Sequence, residues 1–83
     1  MQSVTVRLTG SLRGGAGGRT EFEVETGTIN QILVRLRQVA PELEPVLDEG
    51  VAVAVDGVVY RGDFSRRVEA GSEVLLLAPI VGG

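Results

Sequence analysis

One long stretch of the chain carries the spacing of an amphipathic helix, and short alternating segments stand on either side of it. Ile29, Ile32, Leu33 and Leu36 fall at the i, i+3, i+4 and i+7 positions of a single helical face. Thr28 precedes them as a good N-cap, and Gln31 stands three residues on. This is the capping-box pattern, in which two side chains satisfy two orphan backbone N–H groups. Pro41 ends the segment, because it lacks an N–H and turns Ala40 away from helical backbone. On the N-terminal side, Val4, Val6 and Leu8 alternate with Thr5 and Arg7. Further on, Phe22 and Val24 alternate with Glu21, Glu23 and Glu25. Period-two alternation predicts two half-buried strands, the second over 19–25, joined across the glycine-rich Gly10–Gly18.

Past the helix, Pro41 to Gly50 reads as a connector, with at most one helical turn through Leu43, Val46 and Leu47. Val51 to Val55 predicts a third strand, and Asp56-Gly57 is a strong two-residue hairpin signal leading into a short fourth strand, Val58 to Tyr60. Arg61 to Gly71 is irregular, anchored inward by Phe64 and Val68. Glu73 to Ala78 is the last strand, and its unbroken apolar run suits a central position in a sheet. Eighty-three residues leave room for one domain, residues 1–83, with no internal repeat. The fold class is α+β: a mixed sheet of four to five strands, with one main helix packed on one face against Val4, Val6, Leu8, Phe22 and Val24. A last strand parallel to the first, reached through a helix and a hairpin, is the β-grasp (ubiquitin-like) arrangement.

The absences narrow the chemistry. The chain has no Cys, His, Lys or Trp, and all eight basic residues are Arg. Thiolate nucleophiles, histidine bases, Schiff bases and the P-loop lysine are excluded. Gly10–Gly18 is followed by a strand and not a helix, so it reads as a hairpin loop and not as a phosphate cradle. Glu42, Glu44, Asp48 and Glu49 read as a solvated connector, and no metal site is expected. A net charge of −3 argues against a nucleic-acid surface. No apolar run is long enough to span a membrane, and the first residues lack the basic and apolar regions of a signal peptide. The expectation is a cytoplasmic protein, not an enzyme, monomeric when free.

The chemistry that remains lies at the end of the chain. Ala78-Pro79-Ile80-Val81-Gly82-Gly83 follows directly on the last strand. Pro79 stops ladder pairing, so residues 79–83 are expected to project as a flexible arm. Glycine lacks a Cβ, so this arm can thread a channel too narrow for other residues, and the reactive group at its tip is the Gly83 carboxylate. Strand parity adds a surface. If Val74 and Leu76 face the helix, Leu75 and Leu77 face the open side of the sheet as a partner patch.

The chain resembles the small ubiquitin-like sulfur carriers of the MoaD/ThiS family. The likeness covers nearly its whole length: the first strand with Leu12-Arg13 and a glycine-rich turn, the Thr28-capped helix, Val51 to Gly57, Glu73-Val74 and the terminal Gly82-Gly83. The resemblance implies that an ATP-dependent adenylating enzyme activates the Gly83 carboxylate. A sulfur donor, persulfide or sulfide, then converts it to a thiocarboxylate for a sulfur-accepting synthase. Gly82 would permit passage into the active-site channel, and Pro79, Ile80 and Val81, with Leu75 and Leu77, would meet the partner. No cofactor is bound by the carrier; the ATP belongs to the partner. Ala78-Pro79 stands where molybdopterin-branch carriers usually have two prolines, so molybdopterin, cysteine, thiamine or similar pathways stay open. The alternative is a ubiquitin-like modifier joined through Gly83 to target lysines.

Overall fold

The computed structural model describes residues 2–10, 12 and 17–78. Five strands form one sheet: β1 (Ser3–Leu8), β2 (Glu21–Glu25), β3 (Ala52–Val55), β4 (Val58–Tyr60) and β5 (Glu73–Leu77), in the order β2-β1-β5-β3-β4. The centre pairs β1 with β5 in parallel, and every other pairing is antiparallel. Helix α1 (Ile29–Val39) lies across one face and makes the crossover between the two halves of the sheet. The mixed-sheet β-grasp expected from the sequence is the observed fold.

The local signals account for the elements. Thr28 Oγ1 accepts from the Gln31 N–H at 3.1 Å, and Gln31 Oε1 accepts from the Thr28 N–H at 2.9 Å, so the capping box is closed in both directions. Ile29, Ile32, Leu33 and Leu36 are buried, and they meet Val4, Val6, Leu8, Phe22 and Val24 in one core. The β3–β4 hairpin turns through Asp56 (φ 48°) and Gly57 (φ 88°), two consecutive left-handed residues as a type I′ turn requires. Asp56 also ties that turn to the centre of the sheet. Its N–H donates to the Glu73 carbonyl at 3.0 Å, and its Oδ1 accepts from the Glu73 N–H at 2.9 Å.

Four boundaries differ from the sequence reading, and one of them is β3, which begins at Ala52 and not Val51. Pro41–Leu43 forms a 3-10 turn that runs on into a second helix, α2 (Glu44–Glu49), where a connector with at most one helical turn through Leu43, Val46 and Leu47 was expected. A proline in the first turn of each piece has no helical N–H bond to lose, and Leu43 and Leu47, one helical turn apart, both reach the core. Strand β2 begins at Glu21, not Arg19, although the Leu8 N–H still donates to the Thr20 carbonyl. Strand β5 ends at Leu77, one residue before Ala78. Of the two anchors in the irregular segment, Val68 is fully buried and Phe64 half-buried.

Candidate functional site

The site is built at the end of β5. Thr9, just past β1, donates twice to the Leu76 carbonyl, from Oγ1 at 2.7 Å and from its N–H at 3.2 Å. The place where the central strand gives way to the C-terminal arm is therefore held by the neighbouring strand. Pro79, Ile80, Val81, Gly82 and Gly83, five of the seven residues singled out from the sequence, lie outside the described residues, as does the arm as a whole.

The other two stand on the face of the sheet that α1 leaves open. Val74 and Leu76 are each 1% exposed and point into the core, while Leu75 and Leu77 are partly exposed on the opposite side. The register then shows their neighbours. Ala52 is opposite Leu77, Ala54 is opposite Leu75, and Val59 is opposite Ala54. Directly opposed residues share a face. Leu75, Leu77, Ala52 and Val59 therefore form one apolar surface reaching the point where the chain leaves the sheet, with Ala54 buried beneath them at 5% exposure. The alanines keep it low and flat. Sequence reasoning named the two leucines and missed Ala52, Ala54, Val59 and Thr9. The Val-Ala alternation of β3 carried the signal for the alanines, but only the strand order shows that they adjoin Leu75 and Leu77.

Toward the other edge the same face turns polar. Arg7, beside Leu75 in the register, pairs with Glu21 at 3.1 Å and with Glu73 at 3.8 Å. These groups are half exposed, so the pairs contribute little to stability. They do mark a boundary between an apolar half over β5, β3 and β4 and a charged half over β1 and β2.

Nothing in the described region assembles acid–base machinery. Among the described residues no three acidic side chains converge on a metal position. The one clearly shifted carboxyl, Asp63, lies on an exposed loop and is lowered first by the hydrogen bond from the Ser65 hydroxyl. Among the described residues no helix is long and apolar enough to cross a membrane.

A mixed β-grasp sheet with one helix across one face and an apolar patch on the other defines a ubiquitin-like protein. The ThiS family model matches residues 6–83, and the chain belongs to that family of ubiquitin-like sulfur carriers and modifiers. Among solved structures it is similar to SAMP1 from Haloferax volcanii, at 26% identity and a TM-score of 0.77 over 98% of this chain and 99% of that one. A chain of the BexX/CysO complex from Amycolatopsis orientalis matches at 23% identity and a TM-score of 0.75, covering 96% of this chain and 99% of that one. A chain from the complex of subunits 1 and 2 of molybdopterin-converting factor from Helicobacter pylori matches at 20% and 0.71, covering 98% and 99%. The last two likenesses bear on the fold alone. No curated protein matches the sequence at a significant level.

Proposed function

We propose that this protein is a sulfur carrier that acts through the carboxylate of Gly83. The observation that carries the reading is the family match itself, which runs from residue 6 through Gly82 and Gly83 and so includes the reactive end. A carboxylate is a poor electrophile. An activating enzyme joins the Gly83 carboxylate to the α-phosphate of ATP, releasing pyrophosphate and leaving an acyl-adenylate with a good leaving group. Sulfide attacks the carbonyl carbon, the C–O bond to AMP breaks, and the product is a thiocarboxylate whose sulfur is nucleophilic. Gly82 lets the arm enter the enzyme's channel, Pro79, Ile80 and Val81 line it, and Leu75 and Leu77 seat the folded domain against the partner. A sulfur-accepting synthase then uses the loaded carrier. Similar folds in a two-subunit converting factor and in a BexX/CysO complex support a partner of this kind. The carrier itself holds no cofactor and works in the cytoplasm, where its partner finds ATP.

The test is the intact mass of the protein after incubation with a matching activating enzyme, ATP and sulfide. The expected gain equals the exchange of one oxygen for sulfur and is absent when Gly83 is deleted. No gain with an enzyme active on another carrier would sink the reading. Similarity to SAMP1, a small archaeal modifier protein, favours a second one, conjugation of Gly83 to target lysines. Lysine-linked conjugates in cells that vanish with Gly83, without thiocarboxylate on the free protein, would establish that alternative.

A further inference from the structure

The cations of this acidic protein fall into two groups. Arg7 pairs with Glu21 and Glu73, Arg35 with Glu25 at 3.6 Å, and Arg37 with Asp48 at 2.8 Å. In contrast, Arg19, Arg61, Arg66 and Arg67 have no carboxylate within 4.0 Å among the described residues; Arg19 lies over the Phe22 ring, whereas the other three are exposed together on one short segment. The single acid among them, Asp63, is turned to Ser65, whose hydroxyl donates to its Oδ1 at 2.6 Å.

The segment is also held in place. The Ile29 N–H donates to the Arg66 carbonyl and the Asn30 N–H to the Phe64 carbonyl, both at 2.9 Å, and the Val68 N–H donates to the Gly27 carbonyl at 2.8 Å. The Arg66 guanidinium lies over the Tyr60 ring, 5.8 Å from its centre. Its backbone thus seals the start of α1, whose first turn contains no acidic residue to offset the positive end of the helix.

Beside this segment runs β4, an open edge of the sheet. The two edges are guarded differently. β2 carries Glu21, Glu23 and Glu25 along one face, whereas β4 is Val58-Val59-Tyr60, with the two valines 54% and 45% exposed. Charged residues are the usual protection of an edge, and β4 has none. In a two-residue hairpin the residues flanking the turn form the hydrogen-bonded pair, here Val55 and Val58. The pattern alternates, so the N–H and C=O of Val59 point away from β3 toward the open side.

We infer that the β4 edge and the arginines that follow it are a second docking surface, adjoining the apolar face at Val59, for an extended acidic segment of a partner protein. Such a segment adds a strand at Val59, sets its apolar side chains beside Val59 on one face of the sheet, and turns its alternate carboxylates to the other face, where Arg66 lies over Tyr60, toward Arg61, Arg66 and Arg67. A nucleic acid offers no strand to pair with the edge, and the protein's net charge of −3 opposes it. A second copy would bring the β2 glutamates, of which Glu21 and Glu25 are already paired within the chain. The surface uses only residues 58–67 and none of the C-terminal arm, so it does not depend on the carrier reading.

The test uses the full chain, labelled for amide NMR, and a short capped peptide alternating glutamate and valine. Lysine-valine peptide and an oligouridylate serve as comparisons. The expected result is shift changes confined to Val58–Arg67, slower hydrogen exchange at the Val59 amide, and binding that weakens several-fold from about 50 to 200 mM salt. Replacing two of the three exposed arginines, Arg66→Glu and Arg67→Glu, weakens binding roughly tenfold with unchanged melting. No shifts, shifts centred on Leu75 and Leu77, an unprotected Val59 amide, preference for the oligouridylate, or concentration-dependent self-association would each overturn it.

Discussion

Leu75 and Leu76 are chemically identical neighbours on β5, and the sheet assigns them opposite work. Leu76 is 1% exposed and paired with Val53 in the core, so Leu76→Ala leaves a cavity that the close-packed surroundings cannot fill. Such truncations cost about 2–5 kcal/mol. A domain of this length has on the order of 4–12 kcal/mol in total. The melting temperature should therefore fall by on the order of 15 °C, and the variant should be partly unfolded when warmed. Leu75 lies between Arg7 and Ala54 on the open face, where water replaces the lost atoms and no cavity term arises. Leu75→Ala should cost only about 1 kcal/mol in stability. Its effect appears in docking: losing apolar area at the partner face raises the KM for the carrier in the activating reaction roughly tenfold, with kcat little changed. Thermal melts and steady-state pyrophosphate release on the two variants separate the roles. Equal destabilisation by both would refute the assignment of faces, and a stable Leu75→Ala variant with unchanged KM would refute the docking role.

Asp63 should titrate below its ordinary value of 3.8, because the Ser65 hydroxyl and N–H both bond its charged form and Arg66 favours it further, against a small opposing cost of burial. A lowered value in the folded state means that its contribution to stability is complete above the ordinary value and lost as pH falls through the folded one. Carboxyl NMR should show the midpoint rising toward 3.8 in Ser65→Ala; an unmoved midpoint would contradict the hydrogen-bond origin. At the helix start, Thr28→Ala removes one half of the capping box and should cost about 1 kcal/mol, or roughly 4–8 °C of melting temperature, with Thr28→Ser recovering most of it. No loss in the alanine variant would mean that the bonds donated by the Ile29 and Asn30 N–H groups to the Arg66 and Phe64 carbonyls hold the helix start alone.

Much of this protein is written in short-range patterns. Thr28 with Gln31, the stripe from Ile29 to Leu36, the alternation of Val4, Val6 and Leu8, and Asp56-Gly57 each specify a local conformation, because a cap, a period or a left-handed turn involves only neighbouring residues. The Gly82-Gly83 end is a short-range reading of the same kind, and it lies outside the described residues. Helix α2 was not legible in this way. Pro41 and Pro45 obscure a helical pattern that becomes favourable only when Leu43 and Leu47 find the core. Strand order belongs to the long range as well. Only the pairing of β5 between β1 and β3 brings Ala52, Ala54 and Val59 beside Leu75 and Leu77, and sets Thr9 against the Leu76 carbonyl. The charges follow the same rule. All eight arginines look alike in the sequence, and which of them meet a carboxylate depends on side chains brought together from distant parts of the chain, as with Arg7 and Glu73. Local order needs only adjacent residues, whereas a surface is made of residues the chain has carried to one place.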